Sequence, residues 1–332
     1  MGRRQTNFEA LRLICMWLVV EMHIVQFLHP EVHTGPCLWP AFAINVGLVS
    51  VNCFVFISGF FRIRLSWKGV LRLWTQCSFF ALLLGTVACL WFGAGWAKTL
   101  WHGIFSLTDD RLWFLPCYFA LMLFSPILNK GIEGVEGKTA LLSLIIDVYI
   151  GYMHQAEVLT DTGYHFVHFV ALYCVGAWLS TCKAPSKGMC YFLWWLLLIV
   201  METALRYLKF SFPYVAAVYS FRLNSPLVIL SSILFFQWVR TWKWQSKWVC
   251  WASSSALAVY VVHFGPMATP LFWQPVRRCH EQGFGYLLLY AVGFYVGCIL
   301  LDKIRILVCN PLVANLAPRL ERIFDQILKK KC

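Results

Sequence analysis

Apolar residues recur along this chain in runs about as long as a bilayer is thick, and that feature restricts the folds open to it. The runs lie near residues 9–29, 40–61, 73–95, 113–129, 139–155, 164–181, 190–207, 222–239, 250–272 and 284–301. About 20 apolar residues cross the hydrocarbon core as a helix, and outside a closed barrel only a helix satisfies its own backbone in lipid. The expected fold is therefore all-α, a polytopic membrane protein of about ten transmembrane helices. Composition agrees, with 60% hydrophobic and only 13% charged residues, where soluble domains carry about 25% charged ones. The first run, Leu11–Leu28, is of span length and no small-residue cleavage site follows it. It is expected to remain as the first helix and not to leave as a signal peptide.

A formal charge of +13 on a soluble chain would suggest nucleic acid, but here its distribution explains it. With the N-terminus in the cytoplasm, the inner segments hold Arg3, Arg4, Arg62, Arg64, Lys68, Arg72, Lys130, Lys138, Lys183, Lys187, Arg240, Lys243 and Lys247. Seven more follow from Lys303 to Lys331. The outer loops hold Lys98, Arg111, Lys209, Arg277 and Arg278. A ratio of about four to one fixes both termini in the cytoplasm and removes the argument for a nucleic-acid partner. Trp39, Trp96, Trp101, Trp113, Trp242, Trp248 and Trp273 fall near span ends, where an indole sits half wet.

Two further features bound the organisation. From Asn315 to Lys331, Leu316, Leu320, Ile323, Phe324, Ile327 and Leu328 recur at helical spacing beside Arg319, Arg322 and the Lys329–Lys331 cluster. This predicts an amphipathic helix in the inner interface, against anionic lipid headgroups, so the chain divides into a membrane domain, 1–301, and a basic tail, 302–332. Most of the 14 cysteines sit inside apolar runs as small packing residues, and only Cys37 and Cys279 lie in expected outer loops, which leaves room for one disulfide.

Ionisable groups inside spans are costly and mark candidate sites. Arg12 and His23 are the most informative pair. Eleven residues of helix turn through about 1,100° and rise about 16 Å, so both side chains leave one stripe of the first span, one near each end. Glu202 sits deep in the seventh span with Arg206 four residues on, a spacing that favours an ordinary helix-face pair. Asp147 has no partner at helical spacing. His263 lies about as deep as His23 by its position in the ninth run. His29 with His33 and His165 with His168 have metal-like spacings, but no further ligand completes either pair, so no metal is expected. GxSxG, HExxH and glycine-rich phosphate loops are absent.

Four segments in order carry a family resemblance. The first span reads Arg12-LICMWLVVEM-His23 after Phe8-Glu9-Ala10-Leu11. The second closes Phe54-Val55-Phe56-Ile57-Ser58-Gly59-Phe60-Phe61. The fourth runs from Leu112-Trp113-Phe114-Leu115-Pro116-Cys117-Tyr118 to Ser125-Pro126-Ile127-Leu128-Asn129-Lys130. The ninth contains Val259-Tyr260-Val261-Val262-His263. This resembles the acyltransferase-3 family, with its Arg-x10-His, FFxxSG and "YLIH" elements, over almost all of the chain to about residue 301. Departures are Val55 for the second phenylalanine of FFxxSG and a degenerate RxxR in the first inner loop. No SGNH-type domain follows the spans, so the membrane domain is expected to act alone or with a separate partner.

The resemblance implies a cytoplasmic-membrane O-acyltransferase, most simply an O-acetyltransferase, acting on cell-surface polysaccharide or its lipid-linked precursor. Acetyl-CoA or another acyl-CoA is then the donor substrate, with no bound cofactor. Arg12 and His23 become the catalytic pair. Arg62, Arg64, Lys68 and Arg72, with Ser58, become the donor side, since guanidinium groups match phosphate oxygens. His263, Trp113, Tyr118 and Glu202 become the acceptor side. Imidazole serves as general base or as acyl carrier near neutral pH, and the sequence leaves both routes open. The competing reading is a carrier for a sugar, lipid-linked oligosaccharide or organic anion, with Arg12, His23, Asp147 and Glu202 as pathway charges. A scaffold in a polysaccharide assembly complex is the third, and oligomeric state stays open.

Overall fold

The computed structural model describes residues 5–108, 112–153, 163–212, 222–265 and 267–329. Arg3, Arg4, Arg111, the end of the fifth expected span at 154–155, and Lys330 and Lys331 lie outside them. In chain order the helices are α1 (Thr6–Leu28), α2 (Leu38–Phe60), α3 (Trp67–Phe92), α4 (Trp96–Ile104), α5 (Phe114–Ile132), α6 (Glu136–Met153) and α7 (Phe166–Thr181). Then come α8 (Gly188–Leu208), α9 (Pro226–Arg240), α10 (Lys247–Ser253), α11 (Ala256–His263), α12 (Gln274–Gln282) and α13 (Phe284–Lys329). No strand occurs among the described residues, so the all-α expectation holds.

Among the described residues six helices, α1, α2, α3, α5, α8 and α13, are long and apolar enough to cross a membrane. They account for six of the ten expected spans. Among the others, α7 and α9 are apolar but shorter, and α6 carries Glu136, Lys138 and Asp147. The run at 250–272 is broken rather than continuous. It stops at Ser253, resumes as α11, stops again at His263, and continues through a π turn at Thr269–Trp273. Three serines in a row accompany the first break, where the hydroxyl of Ser254 turns back onto the carbonyl of Trp251. Gly265-Pro266 follows the second.

Local signals elsewhere are read as written. Ser66 caps α3 by accepting the Gly69 N–H at 3.1 Å, Gly93 ends it in the left-handed region (φ 66°), and Pro226 opens α9. The tail is helical as expected to Lys329, but it continues the last span without a break. One helix, α13, runs 46 residues through Pro311 and Pro318, a length of about 69 Å. Cys37 and Cys279 are free thiols.

The helices divide into two compact units, residues 1–63 with 127–254, and residues 64–126 with 255–332. In the first, α2 is the central post, packed by α1, α7, α8 and α9. Small residues allow the close approach. A Cβ on Gly59 would fall 2.1 Å from the Tyr173 carbonyl oxygen, and one on Gly176 would fall 2.4 Å from that of Phe56. Both obstacles are backbone, so neither can swing away. Gly59→Ala is therefore expected to part α2 from α7 at a cost of about 1–3 kcal/mol, seen as a lower Tm in detergent. Gly285→Ala, which meets nothing within 4 Å, serves as the neutral control.

In the second unit α3 packs against α4, α11 and α13. Gly85 accommodates Thr99 and Gly103 accommodates Leu82, and the Trp74 indole N–H reaches the Ile104 carbonyl at 2.9 Å. Against α13, buried Asp302 accepts from Arg305 at 2.6 Å and from the Gln76 amide at 3.1 Å. A carboxylate inside an apolar helix is thereby neutralised by a neighbour one turn away.

Candidate active site

The helix α1 is unbroken from Thr6 to Leu28, so Arg12 and His23 leave one stripe about 16 Å apart, as the spacing required. Both are half-buried. The antiparallel partner α2 fixes what lies level with each. Phe8 meets Phe60 and Phe61 with ring centroids 4.8 and 5.0 Å apart, Cys15 faces Cys53, and Met22 lies against Gly47. That register sets Ser58 within a turn of the level of Arg12, and Asn45 at the level of His23. Asn45 in turn donates to the Thr203 hydroxyl of α8 at 3.1 Å.

At the Arg12 end, Nη1 donates to Glu9 Oε1 at 2.8 Å, and the other oxygen of Glu9 accepts the Ser253 hydroxyl at 2.6 Å. Ser58 spends its hydroxyl on the Phe54 carbonyl at 3.0 Å. Just past α2, Arg62 adopts a left-handed backbone, φ 49°, that non-glycine residues seldom hold. Three contacts keep it there. Arg62 pairs with Glu136 at 2.6 Å, Asn129 donates to the Ile63 carbonyl at 2.8 Å, and Tyr173 donates to Asn129 at 2.6 Å. Arg62 is thus already in an ion pair. Arg64, Lys68 and Arg72 belong to the second unit, where all three are exposed.

At the other end, Glu202 of α8 is fully buried and follows the helix to Thr203, the residue that binds Asn45. Pairing with Arg206 does not occur. The Arg206 guanidinium donates to the Val32 carbonyl in the loop after α1, while Ser231, beside the Glu202 carboxyl, gives its proton to Val228. Neither Glu202 oxygen has a hydrogen-bond partner among the described residues. In the same loop, its own backbone N–H and then His29 hold the Glu31 carboxyl below the usual carboxylate range.

Three of the expected acceptor-side residues gather in the second unit. Trp113 lies edge-on to Phe114, which stacks on Tyr118 and meets Tyr260 at 6.1 Å, and Tyr260 in turn meets His263 at 5.7 Å. His263 is fully buried and its Nδ1–H donates to the Val259 carbonyl at 2.7 Å. A carbonyl only accepts, so Nδ1 carries a proton.

One cluster escaped the sequence reading. Asp147 of α6 accepts from His168 Nδ1 at 2.7 Å, and His168 Nε2 lies 3.1 Å from Asn52 Oδ1. Asn52 also donates to the Leu223 carbonyl and to Ser232, each at 3.2 Å. The Asp–His pair has the outline of a catalytic couple, but all three side chains are fully buried and both imidazole nitrogens are engaged. It holds helices together and presents nothing to a substrate. The legible hint is an acid inside α6, and its partner lies 21 residues on, beyond any helical spacing. Glu9 was missed as well, although an acid three residues before a span arginine is a readable pairing.

No curated protein and no solved structure matches the chain significantly. Residues 5–303 do match the acyltransferase-3 family, described as an acyltransferase domain. A match from the first turn of α1 to the middle of α13, over helices apolar enough to cross a bilayer, means that this chain belongs to that family and is a membrane acyltransferase.

Proposed function

We propose that the protein takes an acyl group, most simply acetyl, from cytosolic acyl-CoA and delivers it to a hydroxyl of a cell-surface polysaccharide or its lipid-linked precursor. The observation that carries this reading is the single stripe on α1 joining a half-buried guanidinium to a half-buried imidazole. Arg12 faces the cytoplasm, as the excess of basic residues on that side argues, and binds donor phosphate. The flexible pantetheine arm then carries the thioester along the stripe toward His23. There His23 removes the proton of the acceptor hydroxyl as its oxygen attacks the thioester carbonyl, the C–S bond breaks, and the departing coenzyme A sulfur takes that proton; alternatively His23 accepts the acyl group first, releasing the same thiol. Glu202, close in level to His23, is the proposed orienting carboxylate. Trp113 and Tyr118 of the second unit are the residues proposed to bind sugar, an aromatic face being suited to a pyranose ring, whereas His263 is fully buried there and meets Tyr260. Arg64, Lys68 and Arg72 supply positive charge for the donor, and Arg62, paired with Glu136 through Nη2, adds its own.

Deleting the gene is expected to remove ester-linked acyl groups from the surface glycan, read by mild-base release and mass spectrometry, with glycan amount unchanged. Esters that persist while glycan export fails would replace this reading with a carrier.

A further inference from the structure

We propose that Glu9 is a positioning residue for Arg12, anchored by Ser253, and that it aims the guanidinium at an anionic oxygen of the donor. The assignment rests on the donor role proposed for Arg12. Glu9 lies in the first turn of α1 and is 6% exposed, whereas the Arg12 side chain is 35% exposed. Both Glu9 oxygens are committed, one to Arg12 Nη1 at 2.8 Å and one to Ser253 at 2.6 Å. Ser253 does not move freely either, since it ends α10, whose other end is tied to α1. The backbone N–H of Ser246, which caps α10, donates to the Thr6 hydroxyl at 3.1 Å, and Thr6 donates to Gln245 at 3.3 Å. The carboxylate is thus held between two helices joined at two points.

Among the described residues only one nitrogen of Arg12 is used. Nε and Nη2 have no hydrogen bond among the described residues, and the side chain is accessible. A guanidinium pinned through one nitrogen keeps its remaining N–H donors in a fixed plane, ready for a phosphate oxygen pair. A free arginine would have to give up rotamer freedom on binding, so pinning strengthens binding without adding a contact to the ligand. The bland alternative is that Glu9 only neutralises a charge near an apolar helix end. The two differ in whether the effect of Glu9 passes through Arg12.

The test uses the full-length protein in detergent with coenzyme A as the probe, its Kd read by calorimetry. Glu9→Ala is expected to weaken binding roughly tenfold, and Ser253→Ala roughly threefold. Glu9→Gln recovers most of the loss, because its amide still offers Arg12 an oxygen and reverses the bond to Ser253, which can accept as well as donate. In an Arg12→Ala background, Glu9→Ala changes Kd by less than about twofold. Equal weakening by Glu9→Ala with and without Arg12, or a Glu9→Gln loss as large as that of Glu9→Ala, overturns the assignment. Should Glu9→Ala fail to give a folded melt, Ser253→Ala and Glu9→Gln in both backgrounds decide it by the same pattern. Binding by the unaltered protein that ignores all these changes sinks this assignment alone. No binding of coenzyme A by the unaltered protein sinks the donor reading and this assignment with it.

Discussion

His23→Ala is expected to lower acyl transfer by about 10²–10⁴-fold while the bundle stays folded. The size follows from the role, since a positioned base contributes about that much to attack by a hydroxyl whose own acidity is negligible near neutral pH. The folded state should survive because the packing of α1 on α2 at this level runs through Met22 and Gly47, and because Leu11, Cys15, Val19 and Val20 stay buried. His23→Gln separates chemistry from structure. It keeps a similar size and can still form hydrogen bonds, yet glutamine cannot cycle a proton, so the loss should match that of alanine. The measurement is the ester content of surface glycan in complemented deletion cells, with protein level and melting temperature as controls. Full acylation by His23→Ala would remove the imidazole from the mechanism.

The second large effect is on stability. Asp147→Ala is expected to cost about 3–5 kcal/mol, because it strands a buried imidazole that has lost its counter-charge. The hydrogen-bond accounting makes the site unforgiving. The amide nitrogen of Asn52 is fixed as donor to Leu223 and Ser232, so its oxygen must face His168, and Nε2 must carry a proton. The other ring nitrogen meets the Asp147 carboxyl, and one proton lies between them whichever atom holds it. Removing Asp147 strands Nδ1 of His168, and removing His168 strands the Asp147 carboxyl, at 0% exposure for both side chains. Replacing both together, Asp147→Leu with His168→Phe, should restore much of the loss, since a buried pair exchanged for apolar volume is often neutral. Thermal or urea unfolding of the purified protein reads the cycle. Additive losses in the double variant would mean that the two side chains do not act as a pair.

The two experiments separate a site from a scaffold. The first histidine is accessible and is expected to change rate more than stability. The second is sealed and is expected to do the reverse. Their surroundings decide this, because the residue type is the same.

Much of the protein was legible in one dimension. The apolar runs give the helices, since a period of 3.6 residues and a bilayer of fixed thickness are both read along the chain. The Arg12–His23 stripe followed from helical pitch alone, and Ser66, Gly93 and Pro226 mark helix ends through chemistry confined to a few residues. What remained hidden was of two kinds. Breaks and continuities depend on neighbours, so an expected span breaks at the serine triplet 253–255 while Pro311 and Pro318 leave α13 whole. Partnerships depend on register between helices, so His168 finds Asp147 and Asn52, Arg62 finds Glu136, and Glu9 finds Ser253 across 244 residues. The sequence by itself determined which segments are helical and which side chains share a face, because both are properties of a single helix. Only the tertiary structure decided which charged groups stay open to a ligand and which are used up in the core, because that is set by how one helix lies against another.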